Sequence, residues 1–301
     1  MMGNSGKDAL FALIDRMIER RADGLYQARF GKTVLRSAFQ PVVEVTAGGL
    51  RVCAYEALIR PFYDGRGPSA HNGHGFTVEA FFAQAPAKEA LLVDRLCRAL
   101  HYRNFAAFGP KDACILVNVD PAIYDDAGLA EIAAGNSLRC LTDCGLKPQQ
   151  AIYEIVERPS TDERAIFTVA KQLRAAGARI AVDDFGGQAL DFARLAMLRP
   201  DVVKIDGGVL HGARAGGAHL KHLSGLCRFA GRFGIDILIE GVETLADLKI
   251  CRRLDPCCLQ GYVFGRPVKR PLPPDVYTRR LAGLHMQAAA GLEQSAAAAT
   301  A

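Results

Sequence analysis

Tryptophan is absent from this 301-residue chain. So is any run of about 18 consecutive apolar residues, which excludes a membrane-spanning helix from the expectation. No long basic stripe occurs either: 37 Lys and Arg are spread along the chain against 32 Asp and Glu, whereas a binder of nucleic-acid polymer concentrates them. The remaining formal charge of +5 and pI near 8.7 suit a small anionic ligand. The start lacks the basic segment and apolar stretch of an export signal. The nine cysteines are odd in number and scattered through apolar segments. They are expected to be reduced thiols in a cytoplasmic protein. Cys140 and Cys144 have no second pair at metal-ligand spacing, and no internal repeat is visible.

What is present is an alternation of short apolar runs and helical stretches. The runs fall at 38–43, 52–58, 115–119, 151–156, 179–182, 202–205, 235–239 and 257–259. Helical periodicity occupies 87–108, 162–176, 191–198, 219–233 and 245–254. Eight strands mostly separated by helices predict an α/β fold, a (β/α)8 TIM-type barrel. The first connection, 44–51, is too short for a crossover helix and contains Gly48 and Gly49. It predicts a hairpin, and so an antiparallel first strand. Residues 7 to 30 carry apolar positions at helical spacing, which predicts a lead-in helix. The expected organisation is 1–34 as that lead-in, 35–268 as the barrel, and 269–301 as a C-terminal helix with an alanine-rich tail.

The chemistry is expected where polar residues interrupt the apolar runs: Glu56, Asn118, Glu154 and Glu157, Asp183 and Asp184, Lys204 and Asp206, Glu240 and Glu243, and Gln260. In a barrel the C-terminal strand ends open on one face, so these positions converge. Buried carboxylates there need protons, cations or metal to neutralise them. Glu56, Asn118, Glu154 and Asp183 offer oxygen ligands without His or Cys, a set suited to Mg²⁺ or Mn²⁺. Singly, Asn118 or Gln260 reads as a bonded buried amide and Lys204 as a solvated or ion-paired lysine; the assembled set carries the signal. Adjacent Asp183 and Asp184 reach one site only if the strand ends between them. Glu157 and Glu243 read as loop-holding groups rather than ligands.

With these residues in order, the chain resembles the EAL domain family of cyclic di-GMP phosphodiesterases over about 35–268. The motif stands as Glu56-Ala57-Leu58-Ile59-Arg60, preceded by Gln40-Pro41-Val42-Val43. Further blocks are Val117-Asn118, Glu154-Ile155-Val156-Glu157, Asp183-Asp184-Phe185-Gly186, Val203-Lys204-Ile205-Asp206, Glu240-Gly241-Val242-Glu243-Thr244 and Gln260-Gly261-Tyr262. The resemblance implies hydrolysis of cyclic di-GMP to linear 5′-pGpG. It also implies a barrel with an antiparallel first strand and two Mg²⁺ or Mn²⁺ held by Glu56, Asn118, Glu154, Asp183 and Asp184. Lys204 and Glu240 would act around the attacking water, with Glu240 favoured as general base and Lys204 the runner-up. Substrate contacts would come from Gln40, Arg60, Asp206 and Gln260, with Arg60 at the phosphate. A homodimer is implied by the family alone, and control would come through the lead-in helix, the dimer interface or a regulatory protein partner.

The chain departs from the family in the loop after Asp184, where Gly187, Gln188, Ala189, Leu190 and Asp191 replace the usual small and aromatic residues. That loop orders Asp184 and the second metal in the family. The departure opens the alternative of a catalytically inactive cyclic di-GMP receptor or protein-interaction domain.

Overall fold

The computed structural model describes residues 4–63, 77–86, 89–120, 127–156, 163–186, 192–254 and 256–299. Glu157 and the loop 187–191 lie outside them. The helical pattern read over residues 7 to 30 is helical only in α1 (Asn4–Met17). It then yields to two short strands, β1 (Ile18–Arg20) and β2 (Tyr26–Phe30). The turn between them, with Gly24 at φ 83°, reverses the chain and prevents the helix from continuing. Asn104 fixes β2 in place: its Oδ1 accepts from Tyr26 N at 2.8 Å and its Nδ2 donates to Tyr26 O at 3.0 Å.

The expected hairpin is present and longer than its apolar runs. Strands β3 (Thr33–Thr46) and β4 (Gly49–Tyr63) pair antiparallel from Thr33 opposite Tyr63 to Thr46 opposite Gly49. A bulge at Val42/Val43 accommodates Cys53. Parallel strands follow: β5 (Cys114–Val119), β6 (Ala151–Ile155), β7 (Arg179–Phe185), β8 (Val202–Ile205), β9 (Asp236–Ile239) and β10 (Cys258–Gln260). Strand β10 returns to pair antiparallel with β3, closing a mixed barrel of eight strands, β3 to β10, while β1 and β2 extend the free end of β3.

Helices α2 (Val78–Gln84), α3 (Ala90–Phe108), α4 (Ala127–Asp143), α5 (Glu163–Ala175), α6 (Phe192–Leu198), α7 (Gly207–Ala213), α8 (Gly217–Arg232), α9 (Leu245–Arg252) and α10 (Pro274–Ala299) complete the chain. In α5 the buried set Ala165, Ile166, Val169, Ala170 and Leu173 forms one apolar stripe at helical spacing. Fully burying an aliphatic side chain such as Leu173 contributes about 1.5–3 kcal/mol. Helix α4 had no apolar stripe long enough to announce itself, being rich in Ala and Gly.

The two-residue period of the strands sorts the barrel interior into layers. Val42, Ala54, Leu116, Ile152, Ala181, Val202 and Leu238 form one apolar layer across it. Two residues further along each strand stand Gln40, on antiparallel β3 and so two positions earlier in number, Glu56, Asn118, Glu154, Asp183, Lys204 and Glu240. An apolar plug therefore underlies a polar ring at the C-terminal mouth of the parallel strands.

Candidate active site at the barrel mouth

Lys204 stands at the centre of that ring and is 1% exposed. Its Nζ lies 2.7 Å from Glu154 Oε1, 2.9 Å from Asp183 Oδ1, 2.9 Å from Glu240 Oε1 and 3.8 Å from Glu56 Oε1. Burial alone favours the neutral amine, but the carboxylates of Asp183, Glu154, Glu240 and Glu56 together outweigh it and hold Lys204 protonated well above the usual lysine range. The converse acts on Glu154, which has no exposed surface: burial lifts its carboxyl well above the ordinary range, and Lys204 only partly opposes this. Burial likewise pushes the Glu240 carboxyl up to about 8 against the pull of Lys204.

Four carboxylates against one ammonium leave a formal charge of −3 when all are ionised. Glu154 Oε1 is met by the Lys204 ammonium at 2.7 Å, while Oε2 is buried with no hydrogen-bond partner. Buried acceptors in that condition cost free energy unless something else coordinates them. Carboxylate oxygens of Asp183, Asp184 and Glu240 lie within 4.8 Å of one another, a spacing that suits coordination by one ion. Excess negative charge, unmet buried oxygens and an all-oxygen donor set fit a hard divalent cation.

Asp183 and Asp184 converge by a different route from the one the sequence predicts. Strand β7 runs through both to Phe185, so it does not end between them. Instead its pairing with β8 is interrupted between Val182 and Phe185, and Asp184 takes φ 56°. Aspartate tolerates this left-handed conformation better than most residues. Asp184 N donates to Asp183 Oδ1 at 3.0 Å, which steadies the kink.

The other expected residues are placed as follows. Gln260 donates from Nε2 to Glu56 Oε2 at 2.7 Å, while its own Oε1 is buried without a hydrogen-bond partner. Gln40 stands opposite Glu56 in the β3–β4 register, and its Nε2 is 3.4 Å from Gly265 O. Asn118 is level with Glu154 at the exposed rim. Asn118 and Arg60 line an adjacent cavity of about 550 Å³, walled also by Phe82, Asp94, Arg98 and His101. Asp206 Oδ1 accepts from Gly208 N at 2.8 Å, capping α7. Glu243 is exposed and turned from the ring, 3.7 Å from Arg214 and 3.9 Å from His211.

Two supporting groups escaped the sequence reading. Arg98, ion-paired with Asp94 one turn earlier, donates to the backbone oxygen of Asn118 at 3.2 Å and so fixes the end of β5. The i,i+4 spacing of opposite charges inside an apolar helical stretch was the available signal. Asp247 is fully buried and accepts from Arg214 Nε and Nη2, Glu243 N, Thr244 N and Thr244 Oγ1. It ties down the segment that follows Glu240. Thr244-Leu245-Ala246-Asp247 is a capping box written with Asp, visible in the sequence only to a reader looking for a helix start.

Close approach of backbones completes the site. A Cβ on Gly261 would sit 2.0 Å from Val242 O, so only glycine lets the chain after Gln260 lie against the Glu240 loop. There Val242 N donates to Gln260 O at 3.0 Å, and Val263 N to Val242 O at 3.1 Å.

Comparison with known proteins gives a consistent picture. The model of the EAL domain family matches residues 25–267. The chain is 29% identical over 206 residues to the bifunctional diguanylate cyclase/cyclic di-GMP phosphodiesterase MucR of Pseudomonas aeruginosa, covering 66% of this chain and 29% of that protein. It is 32% identical over 120 residues to the probable cyclic di-GMP phosphodiesterase PdeD of Escherichia coli, covering 40% of this chain and 22% of that one. The chain thus spans less than a third of either curated relative. Among solved structures, a manganese and cyclic di-GMP complex of Klebsiella pneumoniae BlrP1 at pH 9.0 is similar, with TM-score 0.66, 26% identity, and coverage of 78% of this chain and 56% of that one.

Proposed function

The chain belongs to the EAL domain family, and from that premise we propose that it is a metal-dependent phosphodiesterase opening cyclic di-GMP to linear 5′-pGpG. The observation that carries the proposal is the ring around Lys204: four carboxylates near one buried ammonium, with Glu154 Oε2 buried and without a hydrogen-bond partner. Solved relatives hold cyclic di-GMP together with manganese or calcium, which supports the same ligand here.

In this reading Glu56, Asn118, Glu154, Asp183 and Asp184 hold Mg²⁺ or Mn²⁺, two ions per site. When bound, these supply Lewis-acid stabilisation of the charge on the phosphodiester and lower the pKa of water. The protein's own groups do the rest. Lys204 reaches Glu154, Asp183 and Glu240 as a donor and positions them, and Glu240 is the group that takes the proton from water. Gln260, through its bond to Glu56, fixes the rotamer of that carboxylate. Arg60 and Asn118 face a common cavity beside the mouth, where Arg60 meets the anionic phosphate. Gln40 and Asp206 orient the nucleotide from the neighbouring strand ends.

The test is incubation of the purified chain with cyclic di-GMP and Mg²⁺ or Mn²⁺, with products resolved by chromatography. Linear pGpG that appears with metal and vanishes with chelator is expected. Calorimetric binding without product under any of these metals overturns catalysis and supports the receptor reading that the altered loop 187–191 raises.

A further inference from the structure

At the opposite end of the barrel, below the apolar layer, lies a cavity of about 500 Å³ lined by Cys53, Cys257, Cys258, Glu44, Arg51 and Asp236 among others. All nine cysteines of the chain are free thiols; four of them line this cavity, Cys114 among them, and three have neighbouring sulfurs. Cys258 Sγ is 3.9 Å from Cys53 Sγ and 3.8 Å from Cys257 Sγ. We propose that Cys53, Cys257 and Cys258 form a second, independent binding site for a thiophilic divalent cation of the zinc and cadmium class.

The spacing is what separates this from a disulfide. A zinc–sulfur bond of about 2.3 Å places two thiolates of a tetrahedral ion about 3.8 Å apart. Both edges through Cys258 have that length; the edge from Cys53 to Cys257 is the one the ion draws in by side-chain rotation. A disulfide instead needs the Cα atoms within about 7 Å. Cys53 is on β4 and Cys258 on β10, with β3 between them. Two sheet spacings of about 4.8 Å each separate the backbones. An ion spans that gap between the sulfurs without moving either strand.

The surroundings suit a cation. Glu44 is opposite Cys258 in the β3–β10 register, so both side chains leave the same face of the sheet, and Glu44 lines the cavity. Its Oε2 pairs with Arg51 at 2.5 Å, so the fourth ligand is a water or an oxygen released from that pair. Thiolates are the ligating form; the contacts among the three thiols lower Cys53 and Cys257 and raise Cys258, so an ion that binds all three displaces the Cys258 proton. The hard-oxygen ring at the other mouth and this sulfur cluster at the floor therefore select different ions.

Titrating the reduced full-length chain with Cd²⁺ while following thiolate-to-metal charge transfer in the ultraviolet reads the sulfur site alone. A band saturating at one ion per chain is expected. It should weaken by about tenfold or more in affinity in Cys258→Ser and in Cys53→Ser. It should persist in Cys140→Ser, whose thiol interacts with Cys144 away from this cavity, and in Glu56→Gln, which alters the catalytic mouth. A band absent from the unaltered chain, retained in both Cys258→Ser and Cys53→Ser, or lost in Cys140→Ser overturns the proposal. Circular dichroism establishes that each variant folds; if Cys258→Ser does not, Cys53→Ser and Cys257→Ser decide.

Discussion

Lys204 illustrates how a single residue's meaning depends on its neighbours. Alone in the sequence it reads as a solvated or ion-paired lysine; it is buried and paired with four acids at once. Removing that ammonium leaves buried carboxylates without compensation, which costs about 3–5 kcal/mol. Lys204→Met is therefore expected to lower the denaturation midpoint in chelator, with part of the loss restored by Mn²⁺, as followed by thermal melting in both buffers. Glu56→Gln leaves a neutral amide of the same shape beside Gln260. It should retain the fold while turnover falls by about 10² or more, as expected when a group stabilising transition-state charge is lost; the chromatographic assay reads this directly. Circular dichroism of the same variant separates lost chemistry from lost structure.

Among the elements, the connection from β9 to α9 is the one whose order depends most on a single side chain. Asp247 gathers donors from Arg214, Glu243 and Thr244, and those hydrogen bonds, chiefly from Arg214, hold its carboxyl down to about 2 even though burial acts the other way. A depressed folded-state pKa contributes stability that is present above the ordinary value of 3.8 and lost as pH falls toward 2. Asp247→Asn should thus destabilise at pH 6 by about 2 kcal/mol, with Arg214 half exposed and the cap weakened. The gap to the unaltered chain should narrow near pH 2.5, as measured by urea denaturation at both values. Gly261→Ala acts on the same connection from β10. The Cβ would collide with backbone atoms of Val242 that cannot rotate away, so a loss of about 2–4 kcal/mol is expected, with reduced turnover because Gln260 and the Glu240 loop move apart. Helix α4 and the β1–β2 pair were not legible in the sequence. Alanine and glycine in α4 blur its apolar face, and the strands β1 and β2 are too short for a two-residue period to stand out from the helical pattern preceding them.

For the whole molecule, closure of the barrel by antiparallel pairing of β10 with β3 is what puts distant residues in one place: Glu56 and Gln260 are 204 positions apart and share a hydrogen bond of 2.7 Å. No helix among the described residues is long and apolar enough to cross a membrane. Ligand binding to the folded state alone stabilises by mass action, about 2.7 kcal/mol at a hundredfold excess over Kd. Mn²⁺ with cyclic di-GMP is therefore expected to raise the melting temperature. In Glu154→Gln the rise should shrink, while the variant itself melts no lower than the parent in chelator, because it removes a buried carboxyl whose charge burial already disfavours.

The sequence by itself determined the barrel class, the antiparallel first strand and the identity of the polar ring. Strand period, a connection too short for a crossover and polar residues breaking apolar runs are all local features of the chain. Only the tertiary structure decided that Lys204 sits among four acids, that Asp183 and Asp184 meet through a kink within β7, and that Cys53 of β4 meets Cys258 of β10 and its neighbour Cys257 at the barrel floor. Those facts depend on the register between strands and on backbone dihedrals, which the closed sheet fixes and no stretch of sequence contains.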